Sequence, residues 1–186
     1  MTLLAEKLTP FEDVIIITPQ CFEDHRGNFV ESYNLKDYQD LGITTEFVQD
    51  NQSLSLKKGT LRGLHFQKPP HAQAKLVRAL TGSAYDVVVD VRENSPTFGK
   101  WASFTLDAKT HQQIYIPEGF AHGFCTLEDQ TIMNYKVSAY FSKNHDSGIF
   151  WNDPALAIDW PLKKEEAILS DKDKSLPLLQ EYLGSL

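Results

Sequence analysis

The apolar positions along this chain recur mostly with a period of two, which predicts strands rather than helices. The segments VIIIT (14–18) and NFVESY (28–33) are rich in β-branched and aromatic residues. In AYDVVVDVR (84–92), Val87, Val89 and Val91 fall on one face and Val88, Asp90 and Arg92 on the other. KWASFTL (100–106) and HQQIYI (111–116) alternate in the same way. Turn signals separate these runs: TGS at 81–83, NSPTFG at 94–99 and PEGFAHG at 117–123. Strand and turn about every ten residues suit an antiparallel sandwich or barrel. Helical pattern is confined to LKDYQDLG (35–42), with Gly42 as its C-cap, and to the tail. There, KKEEAILSDKD and PLLQEYLGSL read as helical pieces, the last starting at Pro177. The expected architecture is mainly β, a jelly-roll barrel with a few short helices, with a helical tail over 163–186.

A strand in such a barrel turns alternate side chains inward. In TLRGLHFQ this places Arg62, Leu64 and Phe66 on one face and Gly63, His65 and Gln67 on the other. Strict alternation therefore separates Arg62 from His65, and a bulge near Gly63 is what would bring both inside. The pattern alone does not choose between the two. In QAKLVRALTG, Lys75 shares a face with Val77 and Ala79. An inward Lys75 is costly unless an anion meets it.

Composition narrows the partners. The 186 residues suit one domain, taken as 1–186. With 18 Lys and Arg against 25 Asp and Glu, the net charge is −7, which disfavours nucleic acid but leaves room for a small phosphorylated ligand met by a few focused cations. The start MTLLAEKLTPFEDVIII has no basic region followed by a long apolar run, so neither a signal peptide nor a membrane span is expected. Cys21 and Cys125 lie far apart and are expected as free thiols in a reducing, cytoplasmic setting.

Several residues carry candidate chemistry. His65 reads as a structural strand histidine or as a general base, and LSDKD (169–173) offers Asp171 or Asp173 to orient it. Pro117, Gly119 and His122 in PEGFAHGF resemble the second half of the cupin signature, whereas Gln67 stands where the first half has its second histidine. His65, His71 and His122 are three conceivable metal ligands, but His71 follows KPP, a turn context. Tyr135, on a face with Met133 and Val137, is a core tyrosine or a proton donor. Arg26 is a turn residue or a phosphate contact, Phe29 a ring for stacking on a base, and Glu31 a further polar candidate. Gln49, Asp50 and Asn51 concentrate amide and acid groups suited to a base or sugar.

Taken together, DHRGNFVESY, FVQDNQS, LRGLHFQ, QAKLVRALTG, DVVVDVRENSPTFGKW, IPEGFAHGF, YKVSAYFS, WNDPALAIDWP and LSDKD, in this order from Pro19 to Pro177, resemble the dTDP-4-dehydrorhamnose 3,5-epimerase family. Its members are nucleotide-sugar epimerases with a cupin-like jelly roll. The resemblance implies proton abstraction beside the C4 ketone of dTDP-4-dehydro-6-deoxy-D-glucose. It makes His65 the base, Asp173 its dyad partner and Tyr135 the proton donor on the opposite face of the sugar. Lys75 falls near the C4 oxygen, where a cation stabilises an enolate. Arg62 and His122 become further substrate contacts, and Arg26, Glu31, Gln49, Asp50, Asn51 and Lys172 hold the nucleotide or sugar. Asp146 replaces a common glutamate with a shorter reach, and Phe141 replaces a second tyrosine. No metal or other cofactor is implied, and the implied assembly is a homodimer in which residues 26–31 reach the neighbouring site. The rival readings are an epimerase acting only at C3 or only at C5, a metal-dependent cupin oxygenase, and a noncatalytic sugar-nucleotide binder.

Overall fold

The computed structural model describes residues 3–184. Two antiparallel sheets face each other. The first runs, in spatial order, β1 (Leu3–Lys7), β2 (Ile15–Pro19), β10 (Gln113–Ile116), β7 (Lys75–Thr81), β12 (Thr131–Val137) and β5 (Gln49–Ser55). The second runs β13 (Asp146–Gly148), β6 (Leu61–Gln67), β11 (Phe120–Thr126), β8 (Ser83–Asp90) and β9 (Trp101–Asp107). A separate exposed hairpin pairs β3 (Cys21–Asp24) with β4 (Gly27–Val30). This is the mainly β, jelly-roll arrangement expected from the alternation.

The period-two pattern explains both layers of the core. Val77, Ala79 and Met133 from one sheet meet Ala84, Val88, Leu106 and Phe124 from the other, filling the space between them. On the outer face of the second sheet, Val87, Val89 and Val91 pack under Trp151, Leu156, Trp160 and Tyr182 of the C-terminal region. The valines of the β8 segment therefore read apolar on both faces because both faces are covered. A third cluster joins Ile17 and Leu76 to Tyr38 and Ile43 on the outside of the first sheet.

Several boundaries differ from the pattern. The 28–33 run is a strand only through Val30. Beyond it Tyr33 turns into the outer cluster, and Asn34 accepts from the Lys36 backbone N–H to cap α1 (Leu35–Asp40). The C-cap is Leu41, with Gly42 the residue after it. In 117–123 only the first three residues turn. Phe120 onward is strand, which puts His122 inside the barrel. The tail forms a 3-10 turn (Lys164–Glu166), α2 (Asp171–Lys174) and α3 (Leu179–Leu183). Pro177 precedes α3 and accepts from the Phe150 backbone N–H at 2.7 Å, and the end of the expected tail, Ser185 and Leu186, lies outside the described residues. Among the described residues no helix is long and apolar enough to cross a membrane. Cys21 and Cys125 are both free thiols.

Candidate active site

The barrel encloses a cavity of about 370 Å³ between the two sheets. Its central feature begins with a bulge in β6. Opposite β11, His65 pairs with His122 and Arg62 with Phe124, so three steps along β6 match two along β11. The extra residue lies at Gly63, whose φ is +125°. A Cβ there would sit 2.6 Å from the Cα of Gly123 and 2.8 Å from the carbonyl oxygen of His122, so only glycine allows the two strands this approach. The bulge sends Leu64 outward and brings both Arg62 and His65 to the cavity. Simple alternation, which groups Arg62 with Leu64 and Phe66, fails for this reason.

His65 meets a carboxylate from the far end of the chain. Its Nε2 lies 2.6 Å from Oδ1 of Asp173. Asp173, 3% exposed, is fixed in turn by Ser170, whose Oγ donates to Oδ2 at 2.6 Å and accepts from the Asp173 backbone N–H at 3.1 Å. Burial alone would raise the Asp173 carboxyl. Hydrogen bonds from His65 and Ser170, the His65 charge and the Gly63 backbone N–H outweigh it and hold the group below its ordinary value. Asp171, the other candidate, points to solvent and pairs with Lys174.

Tyr135 faces this dyad from the opposite sheet. It stands on β12, whereas His65 stands on β6, and both line the one cavity. Burial pushes the phenol above its ordinary value, with the Arg62 charge pulling the other way, so it carries its proton at neutral pH. Lys75 lies in the cavity wall, buried, with Nζ donating to the His65 carbonyl at 3.1 Å. Burial pushes its ammonium down to about 8, while the charges of Asp86 and Asp146 resist the shift and Lys172 adds to it. His122 donates from Nε2 to Oδ2 of Asp86, 2.8 Å away. Burial moves this imidazole down despite Asp86, which keeps it neutral.

Other expected residues divide between the cavity and the surface. Gln49, Asn51, Arg62, Asp146 and Lys172 line the cavity. Lys172 and Asp146 form an ion pair at the α2 side of it. Asp50 is not among the cavity-lining residues. Strand alternation turns it to the other face of β5, where it pairs with Lys136 at 3.0 Å. Arg26, Phe29 and Glu31 are not brought to this cavity either: the first two sit on the exposed hairpin, Arg26 against Asp24, and Glu31 accepts from the Asn34 amide. His71 packs against His145 with ring centres 4.4 Å apart and the rings tilted by 43°, and it does not join His65 and His122. Among the described residues no group of three or more His, Cys, Asp or Glu is placed to hold a metal ion.

Two participants escaped the residue-by-residue reading. Asp86 backs His122, and its signal was present as a buried-strand acid on the face of Val88, the face it shares with Asp90. Ser170 fixes Asp173, and the S-x-x-D spacing of SDKD is a helix N-cap signature.

With this geometry in view, comparison with known proteins is direct. A family profile described as dTDP-4-dehydrorhamnose 3,5-epimerase matches residues 8–181. The enzyme of that name from Shigella flexneri is 49% identical over 166 residues, 89% of this chain and 90% of its own. A crystal structure of the Bacillus anthracis enzyme, with TDP and PPi bound, superposes with a TM-score of 0.92 at 52% identity, covering 95% of this chain and 99% of that one. The Legionella pneumophila enzyme in complex with dTDP-4-keto-L-rhamnose gives 0.91 at 43% identity, over 96% and 94% of the two chains. The protein with this paired imidazole and phenol thus belongs to the dTDP-4-dehydrorhamnose 3,5-epimerase family.

Proposed function

We propose that this chain, as one jelly-roll domain, is a dTDP-4-dehydrorhamnose 3,5-epimerase. It inverts C3 and C5 of dTDP-4-dehydro-6-deoxy-D-glucose to give dTDP-4-dehydro-L-rhamnose. The observation that carries the reading is the placement of His65, backed by Asp173, and Tyr135 on opposing sheets of one cavity. Inversion requires a proton to leave one face of the sugar and another to arrive on the other.

The C4 ketone acidifies the hydrogens on C3 and C5. Asp173 occupies Nε2 of His65, so Nδ1 is the nitrogen left to take the proton. The electron pair of the broken C–H bond moves onto the C4 oxygen as an enolate. The Lys75 ammonium, still charged below about pH 8, stabilises that oxygen. Tyr135 then delivers its proton to the opposite face of the same carbon, and the enolate collapses back to the ketone. Exchange with water restores neutral His65 and the protonated phenol before the second carbon reacts. No hydride is transferred and the sugar undergoes no net oxidation or reduction, so the scheme calls for no redox cofactor.

Gln49, Asn51, Arg62, His122, Asp146 and Lys172 supply contacts for the sugar and the diphosphate in this reading. Arg26, Phe29 and Glu31 act in a homodimer, where the hairpin of one copy completes the site of the other. The exposure of Phe22 at 44% and Phe29 at 60%, paired across that hairpin, supports an intermolecular role. A reducing cytoplasmic setting belongs to the same reading and is supported by the two unpaired cysteines.

Incubation with the 4-keto sugar nucleotide in D2O, followed by location of deuterium by NMR, tests the proposal. Deuterium at both C3 and C5 with an L-rhamno product is expected. Label and inversion at one carbon alone would assign a single-site epimerase, and no label would leave only a binder.

A further inference from the structure

We propose that Gln67, assisted by Gln49 and Gln73, is a positioning residue whose side-chain amide clamps the backbone of residues 139–142 and thereby fixes Phe141 at the mouth of the cavity. Four consecutive residues between β12 and β13 are each held by a glutamine. Nε2 of Gln73 donates to the Ala139 carbonyl at 2.6 Å. Nε2 of Gln67 donates to the Tyr140 carbonyl at 3.2 Å. The Phe141 N–H donates to Oε1 of Gln49 over a longer 3.4 Å. The Ser142 N–H donates to Oε1 of Gln67 at 2.6 Å.

Apolar burial does not hold this strap, because Tyr140 is 67% and Phe141 60% exposed. Nor does the strap have sheet or helix bonds of its own, since it forms neither strand nor helix. Its Ser142 end is anchored by the Ser142 carbonyl, which accepts from the His145 and Asp146 N–H groups, and the backbone of residues 139–141 is left to the amides. Gln67 is the centre of the arrangement. It is 5% exposed, and its remaining N–H donates to the His71 carbonyl at 2.7 Å, so the buried amide is fully engaged and ties the strap to the turn after β6. A histidine at this place, as in the metal-binding cupin pattern, has no geometry for one acceptor and two such donors on its own.

The clamp matters for ligand binding because Phe141 and all three glutamines share the cavity wall with Tyr135. Phe141 offers an apolar ring near the entrance, suited to the flat face of a nucleobase. Fixing it beforehand lowers the ordering cost of binding. The effect falls on affinity for the nucleotide end, not on proton transfer at His65. The inference rests on the nucleotide-sugar reading for the identity of its ligand.

The test uses the full chain, dTDP as the probe, and Gln67→Met, which keeps the side-chain volume and removes its three hydrogen bonds. Calorimetric titration is expected to show about tenfold weaker dTDP binding, the order of effect expected for lost ordering bonds. Turnover at saturating sugar nucleotide is expected to stay within about threefold of wild type. In a Phe141→Ala background the same substitution is expected to weaken dTDP by less than about twofold, because the clamp then has nothing to position. An equal tenfold effect in both backgrounds overturns the proposal, as does unchanged affinity in Gln67→Met or a fall in turnover with binding intact. If Gln67→Met does not fold, Gln73→Met, which removes only the bond to Ala139, carries the test. It is expected to weaken dTDP about threefold, with the effect vanishing in Phe141→Ala, and unchanged affinity overturns the clamp. A wild-type protein that fails to bind dTDP overturns the nucleotide reading itself, and this proposal with it.

Discussion

Nε2 of His65 lies 2.6 Å from Oδ1 of Asp173, although 108 positions separate them in the chain. The contact orients the imidazole and leaves one ring nitrogen for the substrate. Asp173→Asn keeps the shape but removes the negative charge that supports the imidazolium formed on proton uptake. Turnover is expected to fall by about 10²–10⁴, the range typical of general acid–base groups. The melting temperature is expected to change little by comparison. Steady-state kinetics with far-UV circular dichroism on the same sample checks this. A loss below about tenfold would remove Asp173 from the dyad role.

Tyr135 is separable from the base by isotope. In Tyr135→Phe the cavity keeps its shape, and His65 still takes a proton from the sugar. Deuterium from D2O is then expected to enter with retention, while inversion falls by about 10² or more. Product stereochemistry and label are read from the same NMR spectrum. Inversion at wild-type speed would assign the proton donor elsewhere.

Lys75 gives opposite outcomes for stability and activity. Its ammonium is buried and pushed down to about 8, so the fold bears a desolvation cost for keeping it charged. Lys75→Met retains the stem and removes the charge. Thermal stability is expected to hold or rise, while kcat falls by about 10²–10³, the scale of losing one preorganised electrostatic contact. The pH profile adds an independent check. A lysine with a lowered value is charged below it and neutral above it, so wild-type kcat/KM is expected to decline as pH rises through about 8. Tyr135, shifted upward by burial, loses its proton only at higher pH and cannot produce that limb.

Much of this site was legible in the sequence because strand alternation is simple. Lys75, Val77 and Ala79 share the inner face of β7 as the pattern indicates, and the family resemblance placed His65, Tyr135 and Asp173. The choice between Asp171 and Asp173 rested on that resemblance alone. In the structure a serine cap on a four-residue helix buries the one and leaves the other in water. Asp50 stands apart from its two flanking neighbours because Gln49 and Asn51 face the cavity and adjacent strand residues cannot all do so. The Gly63 bulge was open at the sequence level because a register shift depends on the partner strand, here on Gly123. The hydrogen bonds of Gln67 were invisible for the same reason: they end on backbone atoms of a loop whose path no local pattern encodes.

Asp90 supports the fold away from the cavity. Its buried carboxylate meets the Arg92 guanidinium at 2.8 Å and accepts from Ser95 and Thr97. Burial alone would raise this group, but bonds from Arg92, Ser95 and Thr97 dominate and bring it down to about 2. A lowered acid contributes stability that is fully present above its unfolded value, about 4, and is lost as pH falls through its folded value. Wild-type stability is therefore expected to decline between about pH 4 and pH 2 partly through this residue. Asp90→Asn is expected to be less stable at neutral pH and to show a shallower acid decline. Urea midpoints across that window measure both, and parallel curves for the two proteins would discount the network.

Gly63 and Gly27 provide a matched pair for the bulge. Their backbones are nearly the same, with φ of +125° and +126°. Alanine at either one bears the strain of a left-handed backbone, roughly 1–3 kcal/mol. Their surroundings differ. Nothing lies within 4 Å of a Cβ at Gly27, whereas at Gly63 it meets Gly123 Cα at 2.6 Å and the His122 carbonyl at 2.8 Å. Those neighbours are backbone and cannot rotate aside. Gly63→Ala is thus expected to lower the melting temperature well beyond Gly27→Ala. It is also expected to cut turnover at temperatures where the protein is still folded, because pushing β6 off β11 displaces His65 from its place opposite His122. Equal melting temperatures for the two variants, with full turnover in Gly63→Ala, would mean that the strands can part without disturbing the base.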